Sequence, residues 1–291
     1  MGQEEGANAL SLHVRQGGEG PPLLLLHGYP QTGAMWAPVA AELAKRFRLV
    51  IPDLRGYGRS DKPASDADHA AYSKRAMAGD MLRLMSALGH ERFQAAGHDR
   101  GGRVLHRLCL DAPERVARAA VLDIAPTAHV FQTTDKRLAT AYYHWFFLIQ
   151  PAPFPERLIG ADPIYFLHHT LGGWGSGLDA FAPEALAEYE AAFSDPETIR
   201  ATCEDYRAAA AIDLAHDAAD ADRRIQCPLL ALWGSNGVVD RLYDVLATWE
   251  RKADHVSGRA VEAGHFLVEE APRETLEAFL DFFETDEKNT G

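Results

Sequence analysis

The strongest local signal in this chain is the segment Gly97-His98-Asp99-Arg100-Gly101-Gly102. It follows a short apolar run, Phe93–Ala96, that predicts a strand, and it precedes a helical pattern that starts near Arg103. A Gly-x-nucleophile-x-Gly pattern between a strand and a helix is typical of a nucleophile elbow, whose turn is too tight for side chains beside the nucleophile. Asp99 takes the central position, where esterases carry serine. An aspartate here would also suit a helix N-cap, but the flanking glycines favour the elbow, so we predict that Asp99 is a nucleophile.

Short apolar runs alternate with helical patterns on both sides of this motif. The alternation predicts an α/β fold with a mostly parallel sheet and helices on both faces. A glycine-rich turn at 17–21 separates the first two strands and predicts an antiparallel hairpin at the sheet edge. The predicted strands are Ala9–Val14, Leu23–Leu26, Phe47–Ile51, Phe93–Ala96, Ala119–Asp123, Leu229–Trp233 and Gly258–Val261. The predicted helices are Trp36–Lys45, Lys74–Leu88, Arg103–Leu110, Asp240–Trp249 and Arg273–Phe283.

The alternation stops after Asp123 and resumes at Cys227. Residues 125–224, which we call the insert, have a helical pattern and many aromatic side chains. Ligands of open α/β sheets bind at the carboxyl ends of the strands, and an insert placed there would cover the site and exclude water. We therefore predict a core domain formed by residues 1–124 and 225–291, and a helical cap domain formed by the insert.

Composition and charge restrict the partners. The chain has 291 residues and a formal net charge of −13, which argues against nucleic acid and acidic membranes as partners. The apolar run Leu23–Leu26 is too short to span a bilayer, and Met1 to Ala7 lacks the features of a secretory signal. Three cysteines without metal-like spacing favour reduced thiols in a cytoplasmic protein. We expect no metal and no cofactor.

Two further motifs complete a catalytic arrangement. His27-Gly28-Tyr29-Pro30 follows a predicted strand, and in an elbow architecture this loop supplies an oxyanion donor, so the backbone N–H groups of Tyr29 and Arg100 would form the oxyanion hole. His27 itself is interpreted as a structural brace. Gly264-His265-Phe266 follows the last predicted strand, and the order nucleophile then histidine predicts His265 as the catalytic base.

The acid that orients His265 has two candidates. The turn Gly234-Ser235-Asn236-Gly237, where many relatives carry this acid, has none. Asp123 lies at the end of the preceding predicted strand, and Asp240 lies three residues beyond the empty turn. We favour Asp123 because residues at strand ends are held rigidly.

A carboxylate nucleophile narrows the reaction type. An ionised aspartate can displace a leaving group from saturated carbon and form an alkyl ester. A histidine-activated water then attacks the carbonyl carbon of the ester. Asp99 therefore points to dehalogenation or epoxide opening instead of ester hydrolysis.

The chain resembles fluoroacetate dehalogenases of the α/β-hydrolase fold over nearly its whole length. The elbow is shared with epoxide hydrolases, whereas the aromatic segment of the insert is more specific. Tyr29 and Gly102 depart from the family, which usually has phenylalanine and alanine there. The resemblance rests on the segments 27–32, 74–78, 97–101, 121–127, 143–153, 203–207 and 264–267.

The resemblance implies a fold, a reaction and residue roles. It implies a mostly parallel eight-stranded sheet with an inserted helical cap, and a homodimer. Arg100 and Arg103 match the pair that holds a substrate carboxylate, and His144, Trp145 and Tyr206 match a halide pocket. The implied reaction hydrolyses a small anionic 2-haloacetate, with fluoroacetate as the leading candidate, to a 2-hydroxy acid and halide with water as the other reactant.

Three alternative hypotheses compete with this function. One is an epoxide hydrolase, which usually has tryptophan after the nucleophile, where this chain has Arg100. Another is a haloacid dehalogenase that prefers chloro or bromo substrates. The third is a non-catalytic receptor on the same fold, which the presence of Asp99, Asp123 and His265 disfavours.

Overall fold

The computed structural model describes residues 10–284 and contains one sheet of seven strands. The strands are β1 Val14–Gly17, β2 Pro22–Leu26, β3 Arg48–Pro52, β4 Phe93–His98, β5 Val116–Leu122, β6 Leu229–Gly234 and β7 Val256–Val261. Their order across the sheet is β1-β3-β2-β4-β5-β6-β7. β1 is antiparallel to β3, and all other neighbouring strands are parallel. The predicted α/β class with a mostly parallel sheet is therefore confirmed.

Two predictions about the sheet are wrong. The described residues form seven strands, not eight. The predicted hairpin does not form, because β1 pairs with β3, with Val14 opposite Pro52, and not with β2. Both edges of β2 are occupied by the parallel partners β3 and β4. Leu23–Leu26 are fully buried, as expected for a central strand.

Fifteen α-helices surround or cross this sheet in the described part of the chain. They are α1 Ala37–Leu43, α2 Lys74–Ala87, α3 Asp99–Asp111, α4 Thr127–Gln132, α5 Lys136–Ala141, α6 His144–Phe147, α7 Phe154–Ala161, α8 Pro163–Trp174, α9 Pro183–Phe193, α10 Pro196–Ala210, α11 Ile212–Ala219, α12 Val238–Leu242, α13 Val245–Glu250, α14 Leu267–Glu270 and α15 Pro272–Phe283. Short 3-10 helices span Gly33–Trp36, Ala70–Tyr72 and Leu178–Ala180. α3 packs on β4, β5 and α2, and α1 packs on α15.

Some element boundaries differ from the predictions. α3 begins at Asp99 itself and not near Arg103. The helix predicted over Asp240–Trp249 is two helices, α12 and α13, because the Asp244 side chain accepts a hydrogen bond from the Ala247 N–H and starts a new helix. The strand predicted over Ala9–Val14 overlaps β1 only at Val14.

Ala9 and the Met1–Ala7 stretch, which was examined for a secretory signal, lie outside the described residues. Within 10–284, no helix is both long and apolar enough to cross a membrane.

The insert separates two neighbouring strands of the sheet. β5 ends at Leu122, and β6 begins at Leu229 beside it, with Leu122 opposite Leu232. Helices α4–α11 lie between them in the chain. The insert therefore leaves the sheet and returns to it at adjacent positions, which places its helices within reach of the carboxyl ends of β4, β5 and β6.

Candidate active site

Asp99 lies at the sharp turn between β4 and α3. Its φ is +42°, a left-handed backbone conformation that costs free energy in residues other than glycine. A Cβ added at Gly97 would approach the Gly101 carbonyl oxygen to 2.5 Å, and one added at Gly101 would overlap the backbone of Leu26 and His27. The two glycines are therefore required by close backbone contact. This geometry is that of the elbow predicted from the sequence.

The surroundings of Asp99 favour its charged form. The Tyr29 backbone N–H donates a 3.1 Å hydrogen bond to Asp99 Oδ2. The Arg100 amide lies in the first turn of α3, where backbone N–H groups have no acceptor within the helix. Burial raises the pKa of Asp99, but the charges of His265, Arg103 and Arg100 outweigh it and hold the pKa below its usual value. Asp99 is therefore a buried carboxylate that stays ionised.

His265 is oriented by Asp123. Its Nδ1 lies 2.6 Å from Asp123 Oδ2, and Asp123 Oδ1 accepts a 3.0 Å hydrogen bond from the Gly234 N–H. Asp123 also has a left-handed backbone, with φ +49°. The rival acid, Asp240, instead accepts a hydrogen bond from Trp233 Nε1 at 2.7 Å in an exposed position. The structure thus places Asp123, and not Asp240, beside His265.

The ring of His265 is poised as a base. Its Nε2 is buried and has no hydrogen-bond partner within residues 10–284. Burial lowers the pKa of His265, but the hydrogen bond and charge of Asp123, together with Asp99, outweigh it and raise the pKa above 6.5. His265 can therefore accept a proton at Nε2 while Nδ1 stays bonded to Asp123.

A second histidine supports the loop that carries His265. His98 Nε2 lies 2.8 Å from the His265 carbonyl oxygen, and the two ring centroids are 4.5 Å apart. Burial lowers the pKa of His98 to about 3, so it stays neutral and donates this hydrogen bond. His27 has the bracing role expected of it, because its Nε2 accepts a hydrogen bond from the Leu54 N–H at 2.9 Å.

Arg100 is fully buried and has a carboxylate partner that the sequence did not reveal. Its Nε and Nη2 donate to the two carboxylate oxygens of Asp205 at 2.9 and 2.7 Å. Its Nη1 has no hydrogen-bond partner in the described part of the chain. The guanidinium also stacks 4.1 Å above the ring of Tyr206. Arg100 is therefore held along one edge, with one nitrogen left for another acceptor.

Arg103 has a different set of partners. Its Nη1 donates to the Ala125 carbonyl oxygen at 2.9 Å and to Thr127 Oγ1 at 3.1 Å. Its Nε is buried and finds no acceptor among residues 10–284. The guanidinium lies 4.5 Å from the centroid of the Trp145 ring. Arg103 is thus a buried cation whose hydrogen-bond partners in the described chain are neutral oxygens.

The three residues assigned to a halide pocket are close together. His144, Trp145 and Tyr206 are all nearly inaccessible to solvent. Ring centroids of His144 and Tyr206 are 5.6 Å apart, and those of Trp145 and Tyr206 are 6.2 Å apart. His144 Nδ1 and Tyr206 Oη have no hydrogen-bond partner in the part of the chain that is described. Burial holds the pKa of His144 well below 6.5, so all three side chains are neutral.

Three residues near the site were not assigned a role from the sequence. Asp205 and Lys74 lie in segments that carry the resemblance, but a charged residue on a helix is usually solvated, and nothing local showed that these two meet. The Trp174 ring centroid lies 4.2 Å from that of His144 and 5.6 Å from that of His265. The Trp174 carbonyl oxygen accepts a hydrogen bond from the His265 backbone N–H at 3.0 Å. No local motif distinguished it from the other aromatic residues of the insert.

The arrangement combines an ionised nucleophile, a histidine base and two buried cations. Within residues 10–284, no cluster of three or more His, Cys, Asp or Glu side chains could hold a metal ion. Nucleophilic attack by Asp99 at an electrophilic carbon, followed by hydrolysis with His265 as base, is the chemistry that these groups can perform.

Comparison with known proteins places the chain among relatives with this architecture. The α/β-hydrolase fold family matches residues 21–272. A fluoroacetate dehalogenase from a Burkholderia species is 48% identical over 267 residues, or 91% of this chain and 88% of that protein. A soluble epoxide hydrolase from Corynebacterium sp. strain C12 is 33% identical over 282 residues, or 95% and 94%. A solved α/β-hydrolase structure from Nostoc sp. PCC 7120 has a TM-score of 0.95 at 55% identity and covers 96% of both chains.

Proposed function

The chain belongs to the α/β-hydrolase fold family and is a relative of fluoroacetate dehalogenases, and from this premise we propose that it hydrolyses 2-haloacetates. Fluoroacetate is the leading substrate, and the products are glycolate and halide. The observation that carries the proposal is Arg103, which is buried one helical turn after Asp99 and has neutral hydrogen-bond partners. Such a cation is costly to bury, and an anionic substrate would offset that cost.

The first step forms an ester on Asp99. One carboxylate oxygen of Asp99 attacks the carbon that bears the halogen, and the halide leaves with the electron pair of the broken bond. Arg100 Nη1 and Arg103 Nε would each donate to the substrate carboxylate. Without these two cations, the approach of one anion to another in a site of low dielectric constant would be strongly unfavourable.

The second step hydrolyses the ester. His265 removes a proton from water through Nε2, and the resulting hydroxide attacks the ester carbonyl carbon of Asp99. The Tyr29 and Arg100 amides would stabilise the tetrahedral oxyanion. Collapse of this intermediate releases glycolate, which takes up the proton from His265. The second proton of the water leaves the Asp99 carboxyl for the solvent, which restores the carboxylate with one oxygen of the water in it.

The leaving halide would be held by His144, Trp145 and Tyr206. Each residue carries an N–H or O–H donor on an aromatic ring. Because the three side chains are neutral, they would polarise the carbon–halogen bond without forming a permanent ion pair with the halide. Fluoride is a small, hard leaving group that benefits most from several hydrogen bonds.

Epoxide hydrolysis is the alternative function. It is favoured by the similarity to the Corynebacterium enzyme and by the buried hydroxyl of Tyr206, which could protonate an epoxide oxygen. Arg100 weighs less against this alternative than the sequence suggested, because Asp205 already serves as its counter-ion. Arg103, a buried cation with neutral hydrogen-bond partners, is the residue that favours a carboxylate substrate.

The domain division also forms part of the proposal. We assign residues 1–124 and 225–291 to the catalytic core and 125–224 to a cap that excludes water. The homodimer and the cytoplasmic location stay predictions.

One parallel assay tests the function. We expect halide release from fluoroacetate and chloroacetate, and none from a neutral haloalkane of similar size. Faster opening of an epoxide than of any haloacid would contradict the proposal. Turnover of chloroacetate or bromoacetate without fluoroacetate would retain the reaction class and replace the substrate.

The covalent step has a separate test. A single turnover in oxygen-18 water should place the label in Asp99, as read from the mass of its peptide. Label that appears only in glycolate after one turnover would exclude the aspartyl ester.

A further inference from the structure

Behind the site, Arg100 shares its counter-ion with a second buried cation. The Asp205 carboxylate that holds Arg100 also accepts a short hydrogen bond from Lys74 Nζ. Lys74 begins α2 and is only 4% exposed. A second acid, Asp213, has an oxygen 3.8 Å from Lys74 Nζ and accepts the Lys74 backbone N–H at 2.9 Å. Lys74 and Arg100 therefore belong to one buried ion network that reaches the site.

Asp205 binds Arg100 through hydrogen bonds that do not involve Lys74. Arg100 donates through Nε and Nη2 to both carboxylate oxygens, and through Nη2 to the Asp205 carbonyl oxygen at 2.9 Å. Tyr57 Oη donates to Asp205 Oδ2 at 2.7 Å. The three hydrogen bonds from Arg100 fix the orientation of the guanidinium, and the one from Tyr57 helps to hold the Asp205 carboxylate. Removal of Lys74 would thus change the charge around Arg100 more than its position.

We propose that Lys74 is a positioning residue for the substrate carboxylate, because it shares Asp205 with Arg100 and so keeps the positive charge of Arg100 available to an anion. This inference rests on the proposed function. If Asp205 faced Arg100 alone, one carboxylate would neutralise one guanidinium, and Arg103 would be left as the principal attraction for the substrate. With Lys74 present, two cations share Asp205 on the side away from the substrate. Asp213 also lies near Lys74, but burial raises its pKa and disfavours its charged form, so Asp213 offsets the charge of Lys74 only in part. In a site of low dielectric constant, this charge acts over several ångströms.

The charge balance of the surroundings agrees with this role. Burial and the charge of Arg100 hold the pKa of Lys74 below its usual value, although Asp205 and Asp213 act in the opposite direction. Burial raises the pKa of Asp205, but Arg100 and Lys74 outweigh it and hold the pKa far below its usual value. Asp205 is thus ionised, and two cations stabilise its charge. Lys74 touches no reacting atom in this scheme and acts only through Asp205.

The test compares Lys74→Met with Arg75→Met. Arg75 is the next residue of α2, and its replacement changes the net charge by the same amount. It pairs with Asp111 and Asp220 at a half-exposed position, and no hydrogen bond or ion pair found within residues 10–284 joins its side chain to Lys74, Asp205 or Arg100. Calorimetry would measure binding of acetate, an anion, and of acetamide, its neutral analogue. Steady-state assays on chloroacetate would give kcat and KM separately.

We expect Lys74→Met to raise the Kd of acetate and the KM of chloroacetate about tenfold, with kcat within about threefold of the wild type, because a binding interaction common to ground and transition states is lost. Acetamide binding and the Arg75→Met variant should be unchanged. Lys74→Arg should restore most of the acetate affinity. Equal losses for acetate and acetamide, or a loss in kcat alone, would overturn the inference in favour of a purely structural role.

The failure of this inference differs from failure of the proposed function. If wild-type protein binds acetate but Lys74→Met binds it equally well, Lys74 has no role in anion recognition. If wild-type protein binds acetate but does not release halide from haloacetates, the proposed function fails while the test of Lys74 can still be read from binding. Thermal unfolding of each variant, compared with Arg75→Met, would identify one that does not fold, and the binding of acetate to Lys74→Arg would then decide the question.

Discussion

The core and the insert hold their site residues by different means. In the core, Asp99 and Asp123 each follow a parallel strand, and both adopt left-handed backbone conformations, with φ +42° and +49°. In the insert, His144 and Tyr206 lie on helices and are positioned by ring contacts with one another. Backbone geometry that is locked by neighbouring strands positions charged groups with little freedom, whereas aromatic packing tolerates change. We therefore expect the core to determine whether the reaction occurs and the insert to determine which leaving group is accepted.

The largest effect is expected from His265→Asn in the core. Loss of the base should stop hydrolysis of the ester but not its formation, so turnover should fall by about three orders of magnitude or more. Incubation with chloroacetate should leave a carboxymethyl group on the Asp99 peptide, detectable by mass spectrometry. An unmodified peptide in an inactive variant would show that His265 acts before the ester forms and would break the division of roles within the core.

Arg103→Leu should have the next largest effect. Removal of a buried cation that faces Asp99 should lower kcat/KM for haloacetates by about two to three orders of magnitude, because an interaction between charged groups is lost in a dry site. Steady-state kinetics with chloroacetate and chloroacetamide would measure it. The neutral amide should suffer much less, and equal losses for both substrates would remove the argument for a carboxylate clamp.

Tyr206→Phe tests the insert side of the comparison. The buried hydroxyl should donate to the leaving halide, so its loss should slow fluoroacetate turnover by roughly 10- to 100-fold and bromoacetate turnover far less. Tyr143→Phe, at a partly exposed neighbouring ring, is the matched control and should change neither rate. A uniform loss across halides would mean that the insert does not select the leaving group.

The pH dependence of activity should report on the hydrogen-bonded pair of His265 and Asp123. His265 must be neutral to act as a base, and its pKa is raised mainly by its hydrogen bond to Asp123 against the effect of burial. Turnover should therefore fall as the pH is lowered through a value above 6.5. In Asp123→Asn, whose residual activity should be low, the inflection should move to lower pH, because burial then dominates. An inflection that does not move would place the titrating group elsewhere.

The smallest effect concerns a contact between core and insert. Buried Glu269, which follows His265 in the core, accepts a short hydrogen bond from Gln31 and one from Tyr189 of the insert at 2.8 Å. Burial raises the pKa of Glu269 from 4.5 to about 8. The unfolded chain loses this proton near pH 4.5 and the folded chain near pH 8, so the free energy of unfolding should fall as the pH rises between these values.

Glu269→Gln should remove that dependence. At pH 7 the variant should be more stable than the wild type by about 1–3 kcal/mol, as measured by urea unfolding at pH 5 and pH 7. Glu250→Gln, at an exposed position of α13, should leave the difference between the two pH values unchanged. Parallel pH curves for Glu269→Gln and the wild type would show that Glu269 is ionised in the fold.

Local patterns were sufficient for the elbow and for the strands. The spacing Gly97–Asp99–Gly101 predicts a strand-turn-helix because the steric requirement lies within five residues. Local patterns could not predict which strand pairs with β1. A glycine-rich turn between two short strands suits a hairpin, but β2 already had two parallel neighbours, and that competition exists only in the assembled sheet.

The class of fold, the elbow at Asp99 and the candidates for base and acid could be predicted before folding, because each depends on residue type and short-range spacing. The folded chain was needed to show that Asp123 and not Asp240 meets His265. It also shows that Arg100 is already paired with Asp205, while Arg103 is not paired with a carboxylate in the described chain. Lys74 and Asp205 are 131 residues apart, and their contact depends on how α2 and α10 pack. Charge pairing across such separations follows from packing, and no local pattern encodes it.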